Sequence, residues 1–352
     1  MNLLKIREWI EEEKFYVWIV VFLILFHATF SLLGTLTAPA KSEPSLQEEE
    51  TPISQDRLMT LLNENPFLKL LFGAGTLLFL FVLLLGLLFA VQLMRQKLKG
   101  ELSFSWRLPE REILWTLKDV FHVVVLLVLS SYLIELCEIV FFHLTQLRPS
   151  ESVRMLTTTL LTDGVAFYLI FDLVKFQKGQ DLSRLGLSVN AFSRNFLFGL
   201  KGYLSLLPFL LLSLFFSFWI ADRFHLSPPE QPLYDLFQKE TSRQIVFVGM
   251  ILVVLLGPVV EEIFFRGFLY NALKAQWGRR WAIVSSGLLF SALHANLIGF
   301  LPITLLGMTL AYGYELTGSL IASITIHVLH NTLVMVLFFF TNHFSQFLGV
   351  LS

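Results

Sequence analysis

Charge is what this chain of 352 residues has least of. Asp, Glu, Lys and Arg make up 15% of it, against about 25% in an ordinary soluble domain. That shortage excludes a string of soluble domains. The charge that exists is balanced, 26 basic against 27 acidic residues for a net of -1, so no global basic field is available to attract nucleic acid. Cysteine is nearly missing too: a single Cys137 excludes a disulfide framework and any Cys-rich zinc module. Nor is a cleavable signal peptide recognisable, because the first apolar run follows Glu11, Glu12 and Glu13 and is too long for the apolar region of one.

Hydrophobic residues fill the gap. They form 55% of the chain, the mean hydropathy is +0.69, and apolar runs recur along nearly the whole length. The fold class expected is all-α, a polytopic bundle of transmembrane helices. A bilayer core of about 30 Å needs roughly 20 apolar residues in a helix. Nine candidate spans meet or approach this, near 15–33, 70–93, 120–142, 155–174, 196–220, 245–272, 281–296, 302–317 and 319–340. Two of them, 281–296 and 302–317, are short, so the expected total is eight or nine. With the N-terminus inside, 17 Lys and Arg fall in inner segments and 8 in outer ones; that bias favours N-in. Residues 38–57, with three prolines and Glu48-Glu49-Glu50, form an acidic, flexible loop on the outer side.

Ionisable residues inside a membrane span are costly and are functional candidates by default. Most of the strongest lie in the last third. Glu261 and Glu262 are adjacent and point about 100° apart on a helix. Glu262 can pair with Arg266 at i,i+4, which leaves Glu261 without a local partner. His294 lies on the next span. His327 and Asn331, again i,i+4, share a face of the last, with His330 to one side as a neighbour. Lys274 through Arg280 read as a turn. Glu261 is 13 residues before Lys274 and His294 is 13 after Trp281, which places both roughly 20 Å from the turn at a 1.5 Å rise per residue. Each residue has a plain structural reading, as an ion pair or an interhelical hydrogen bond. Four polar groups on three helices at compatible depth are harder to explain as packing. Glu135, Glu138, Asp163, Asp172 and His122 are read as interhelical hydrogen-bond partners, with an ion or proton path as the alternative.

Glu261-Glu262-x-x-x-Arg266, Phe290-x-x-x-His294 and His327-x-x-x-Asn331 resemble the three motifs of the CAAX protease and bacteriocin-processing (CPBP) family. Tyr314-Glu315-x-Thr317-Gly318-Ser319 is similar to that family's link between motifs. The resemblance covers about 245–340 and divides the chain into an N-terminal accessory region, 1–180, with four spans, and a catalytic helix bundle, 181–352. It implies an intramembrane endopeptidase that hydrolyses a peptide bond of a membrane-associated protein or peptide. Glu261 and His294 would activate water, His327 and Asn331 would stabilise the oxyanion, and Glu262 and Arg266 would support the first motif. No cofactor is the expected state, since no His-Glu-x-x-His helix is present; zinc on Glu261, His294 and His327 is the alternative. The partners implied are the peptide substrate and the bilayer, with no nucleic acid. The family's many bacterial members point to the bacterial cytoplasmic (inner) membrane. If the host is bacterial, a prenylated substrate is less natural than a bacteriocin, pheromone or leader peptide. A non-proteolytic scaffold with the same fold is the competing reading, and a transporter using Glu135, Glu138 and Asp163 is a third.

Overall fold

A computed structural model describes residues 12–24, 60, 63–100, 112–226, 236–238 and 240–350. The acidic loop 38–57 and the second half of the expected first span lie outside the described residues. Among the described residues the chain is helical, without strands. In chain order the helices are α1 Lys14–Ile24, α2 Pro66–Leu98, α3 Leu117–Thr145, α4 Glu151–Asp172, α5 Phe192–Arg223, α6 Arg243–Ile251, α7 Gly257–Glu262, α8 Tyr270–Leu293, α9 Phe300–Thr317 and α10 Leu320–Val350.

Local chemistry sets the helix starts. Pro66 opens α2 behind Asn65, whose Oδ1 accepts from Phe67 N and Leu68 N at 3.1 and 3.2 Å. Such a cap satisfies amides that the first turn leaves without partners. Asp119 in the first turn of α3 accepts from Thr116 N at 2.7 Å and pairs with Lys178 at 2.9 Å. Ser150 caps α4 through Val153 N.

Among the described residues, five helices are long and apolar enough to cross a membrane: α2, α3, α5, the run Arg243–Leu293 and Leu320–Thr341. The expected spans 155–174 and 302–317 are present as α4 and α9 but are not among them. The reason is visible in their side chains. Helix α4 carries Arg154, Thr157, Thr158, Thr159, Thr162 and Asp163, and α9 buries Thr304, Glu315 and Thr317 against protein. Polar groups satisfied inside a bundle are tolerated at membrane depth.

The run Arg243–Leu293 is not one rod. Gly278 leaves the helical region at φ 75°, ψ 167°, a backbone state that glycine enters without steric cost. Phe265 meets Phe290 edge-on at 5.0 Å and the Arg266 guanidinium lies 4.5 Å from the Phe290 ring. Residues 12 or 13 positions either side of Gly278 therefore face one another, and the chain reverses there. Helix α9 then packs against α8 at a close crossing where Gly287 meets Gly307: a Cβ on Gly287 would stand 2.9 Å from Met308 N and 3.1 Å from Thr304 O. Gly287→Ala is accordingly expected to lower stability by about 1–3 kcal/mol, the usual cost of overpacking, as read from thermal unfolding in detergent.

Two π-helical segments, Leu252–Leu256 and Ile263–Leu269, flank the six residues of α7. Wider i→i+5 turns disturb the regular ladder, and side chains from elsewhere bond to carbonyls in both segments. Asn331 Nδ2 donates to Val253 O at 2.8 Å, Asn271 Nδ2 to Gly267 O at 2.6 Å, and Trp115 Nε1 to Phe268 O at 3.0 Å. One apolar core runs through this region and joins Trp115, Val120 and Ile170 to Phe265, Phe268, Phe290 and Ile326.

Candidate active site

Glu262 is the anchor of the site. Its side chain and that of Arg266 are both 0% exposed, and Glu262 Oε1 accepts from Arg266 Nη1 at 2.8 Å. The spacing in sequence anticipates that bond. It does not anticipate the second: His327 Nδ1, from α10, donates to the same oxygen at 2.9 Å. A buried charge is tolerable only when paired and hydrogen-bonded, and this carboxylate has a cation on one side and an imidazole on the other. Arg266 also donates from Nη2 to Gly307 O at 3.2 Å, which ties the first motif to the α8–α9 crossing.

Glu261 points elsewhere, as two adjacent helical residues must. Its side chain is 39% exposed, and Oε2 lies 3.8 Å from His327 Nε2. That oxygen is buried and has no hydrogen-bond partner. His327 thus stands between the two carboxylates, held by one and facing the other.

His294 arrives at the end of α8. Its Nδ1 donates to Phe290 O at 2.7 Å; because a carbonyl only accepts, Nδ1 carries a hydrogen, and Nε2 is the acceptor of the neutral ring. The Phe290 ring links the two histidines, 4.6 Å from His294 and 5.5 Å from His327 between centroids. Asn331, one turn beyond His327, has Nδ2 committed to Val253 O at 2.8 Å. Glu261, Glu262, Arg266, His327 and Asn331 are therefore joined around α7, and His294 reaches the group through Phe290.

Two further residues approach the site. Asp163 on α4 is close enough to interact electrostatically with Glu261. Leu156 and Ile170, one heptad either side of it, are both buried, so α4 turns that face inward. His330 interacts with both His294 and His327 and lies with its ring 6.1 Å from Tyr203. The sequence marks Asp163 as an intramembrane polar residue; nothing in it tells which helix it faces.

The other intramembrane polar residues lie apart from the site. Glu138 accepts from Thr158 Oγ1 at 2.7 Å across α3 and α4, the interhelical bond expected of it. Asp172 accepts from Gln177 Nε2 at 2.8 Å, and Glu135 is exposed. His122 bonds to Glu13, which also pairs with Lys118, and its ring stacks on Tyr16. Among the described residues, no three His, Cys, Asp or Glu side chains are grouped as metal ligands.

Residues 243–333 match the family described as type II CAAX prenyl endopeptidase Rce1-like, a stretch that holds every one of the motif residues above. This stretch is similar to that family, in keeping with the motif resemblance, and is a CPBP-like segment. A protein of Bacillus subtilis (strain 168) printed as "Putative membrane peptidase YdiL" is 32% identical over 83 residues, which is 24% of this chain and 34% of that protein. The chain thus spans about a third of the length of the relative it matches. No solved structure matches the chain. The matched stretch, the CPBP segment of the resemblance, comprises α6 to the middle of α10, and α1 to α5 lie outside it. Its long apolar helices make the protein an integral membrane protein, and its likeness to the family and to the relative is confined to this stretch.

Proposed function

We propose that the protein is an intramembrane endopeptidase that hydrolyses a peptide bond of a membrane-associated protein or peptide. The observation that carries this reading is the placement of His327 between Glu262, at 2.9 Å, and Glu261, at 3.8 Å. A purely structural ion pair needs Glu262 and Arg266; it has no use for a second, partly exposed carboxylate aimed at the far side of the imidazole.

In the mechanism, Glu261 takes a proton from water while His294 orients that water through its Nε2 lone pair. The hydroxide oxygen bonds to the scissile carbonyl carbon, and the carbonyl π electrons move to oxygen. His327 Nε2 and the second N–H of Asn331 Nδ2, whose first is held by Val253 O, donate to the resulting oxyanion. Because His327 Nδ1 donates to Glu262, its Nε2 donates to the oxyanion only when it carries a hydrogen of its own. Collapse of the tetrahedral intermediate breaks the C–N bond, and Glu261 returns its proton to the leaving amine. Arg266 holds Glu262, and Glu262 holds His327; neither needs to touch the substrate. The bacterial cytoplasmic membrane and a peptide cut near its inner leaflet complete the proposal.

The test compares membrane-protein termini, by mass spectrometry, in cells carrying the native protein or Glu261→Gln at equal abundance. New termini present only with the native protein support the reading. Identical termini overturn it in favour of a scaffold. We also propose that no metal takes part. Cleavage by the purified protein is expected to persist at full rate in excess EDTA or 1,10-phenanthroline; loss on chelation, restored by zinc alone, would show instead that Glu261, His294 and His327 rearrange as ligands.

A further inference from the structure

A groove of about 880 Å³ runs between α2, α5 and α9. It lies behind the site just described. Ile326 lines it, while the next residue on α10, His327, faces Glu262. Two of its three walls, α2 and α5, lie outside the CPBP segment.

The walls run antiparallel. Phe198 and Leu316 line one end, Phe216 and Leu301 the other, and Gly202 of α5 and Gly313 of α9 both meet Ile326. From Phe198 to Phe216 a helix rises roughly 27 Å, close to the hydrocarbon thickness of about 30 Å. Along that length the lining is almost wholly apolar. Among the lining residues only Lys97 carries charge, and it lies at the end marked by Tyr312 and Leu316. Its ammonium is held 5.1 Å from the centre of the Tyr312 ring, at the mouth of the groove. Arg95 lies in the same last turn of α2 and Lys99 caps it. By the Lys and Arg bias this end belongs to the inner face, where anionic lipids draw basic residues to the membrane surface.

We propose that this groove binds an anionic phospholipid, with its acyl chains along α5 and α9 and its phosphate on Lys97. An apolar wall cannot tell one acyl chain from another, so selectivity rests on the head group, and the only charge offered to it is positive. Bound there, the lipid braces Ile326 from behind and so supports the helix that presents His327. The inference does not depend on the peptidase reading.

The test uses the full-length protein in detergent, titrated with dioleoyl-phosphatidylglycerol or dioleoyl-phosphatidylcholine and read by native mass spectrometry. The native protein is expected to bind the first about fivefold more tightly, the effect of roughly one surface cation on an anionic lipid. Lys97→Gln is expected to remove the preference. Thr309→Trp, which fills the groove and leaves Lys97 in place, is expected to weaken both lipids. Equal affinities in the native protein, or a preference untouched by Lys97→Gln, overturn the proposal. So does a dimer in the same spectra that Thr309→Trp abolishes, since a second copy would then occupy the groove. Lys97 is exposed, so its variant folds and decides the matter even where Thr309→Trp does not.

Discussion

Glu261→Gln is expected to slow the accumulation of cleaved termini by about 10²–10⁴-fold, the usual contribution of a positioned general base, with no change in the thermal midpoint. The asymmetry follows from the geometry. Glu261 is 39% exposed and Oε2 makes no hydrogen bond, so glutamine removes the base and leaves the packing alone. Rates measured on a cleaved membrane peptide, alongside unfolding of both proteins in one detergent, separate the two effects. A variant that is stable and still active would remove Glu261 from the mechanism. A transporter built on Glu135, Glu138 and Asp163 would cleave the peptide in neither form.

The opposite pattern is expected four residues on. Arg266→Met should destabilise the protein by about 3–5 kcal/mol, because it leaves a buried carboxylate without its cation. Both side chains are 0% exposed, and Arg266 Nη2 also bonds Gly307 O. The loss is then not confined to one pair: the carboxylate that positions His327 and the crossing of α8 with α9 both depend on it. Denaturant titrations of Arg266→Met, Glu262→Gln and the double variant check this. The double variant is expected to be more stable than the sum of the single losses predicts, since removing both charges removes the penalty. Strict additivity would mean that the two side chains do not act as a pair.

The sequence carries the helices plainly, because long apolar runs and a turn rich in Lys and Arg need only composition to be seen. Gly278 falls inside the expected turn, 274–280, and Glu262 bonds Arg266 as i,i+4 spacing requires. What could not be read is direction across helices. The bond from His327 to Glu262 joins residues 65 positions apart, and no local pattern distinguishes Glu261 from Glu262 as the one that receives it. Asn331 likewise shares a face with His327, yet its bond to Val253 O depends on the π-helical segment before α7. The expected spans 155–174 and 302–317 are helices α4 and α9, whose polar side chains make them less apolar than the other five.

Those π-helical segments change how periodicity counts along the helix. Each hydrogen bond in them encloses one residue more than an α-turn does, and one residue corresponds to about 100° of rotation. Along Arg243–Leu273 the phase of the helix therefore slips twice, once before Glu261 and Glu262 and once after. A stripe of side chains drawn through all three parts would follow no single neighbour. Each short stretch instead has its own bearing: the first toward Asn331, the second toward His327, the third toward Trp115. One continuous apolar segment, with Pro258 at the start of its middle part, thus addresses separate partners without a break. The aim of its two glutamates is set by how many residues precede them within the wide turns.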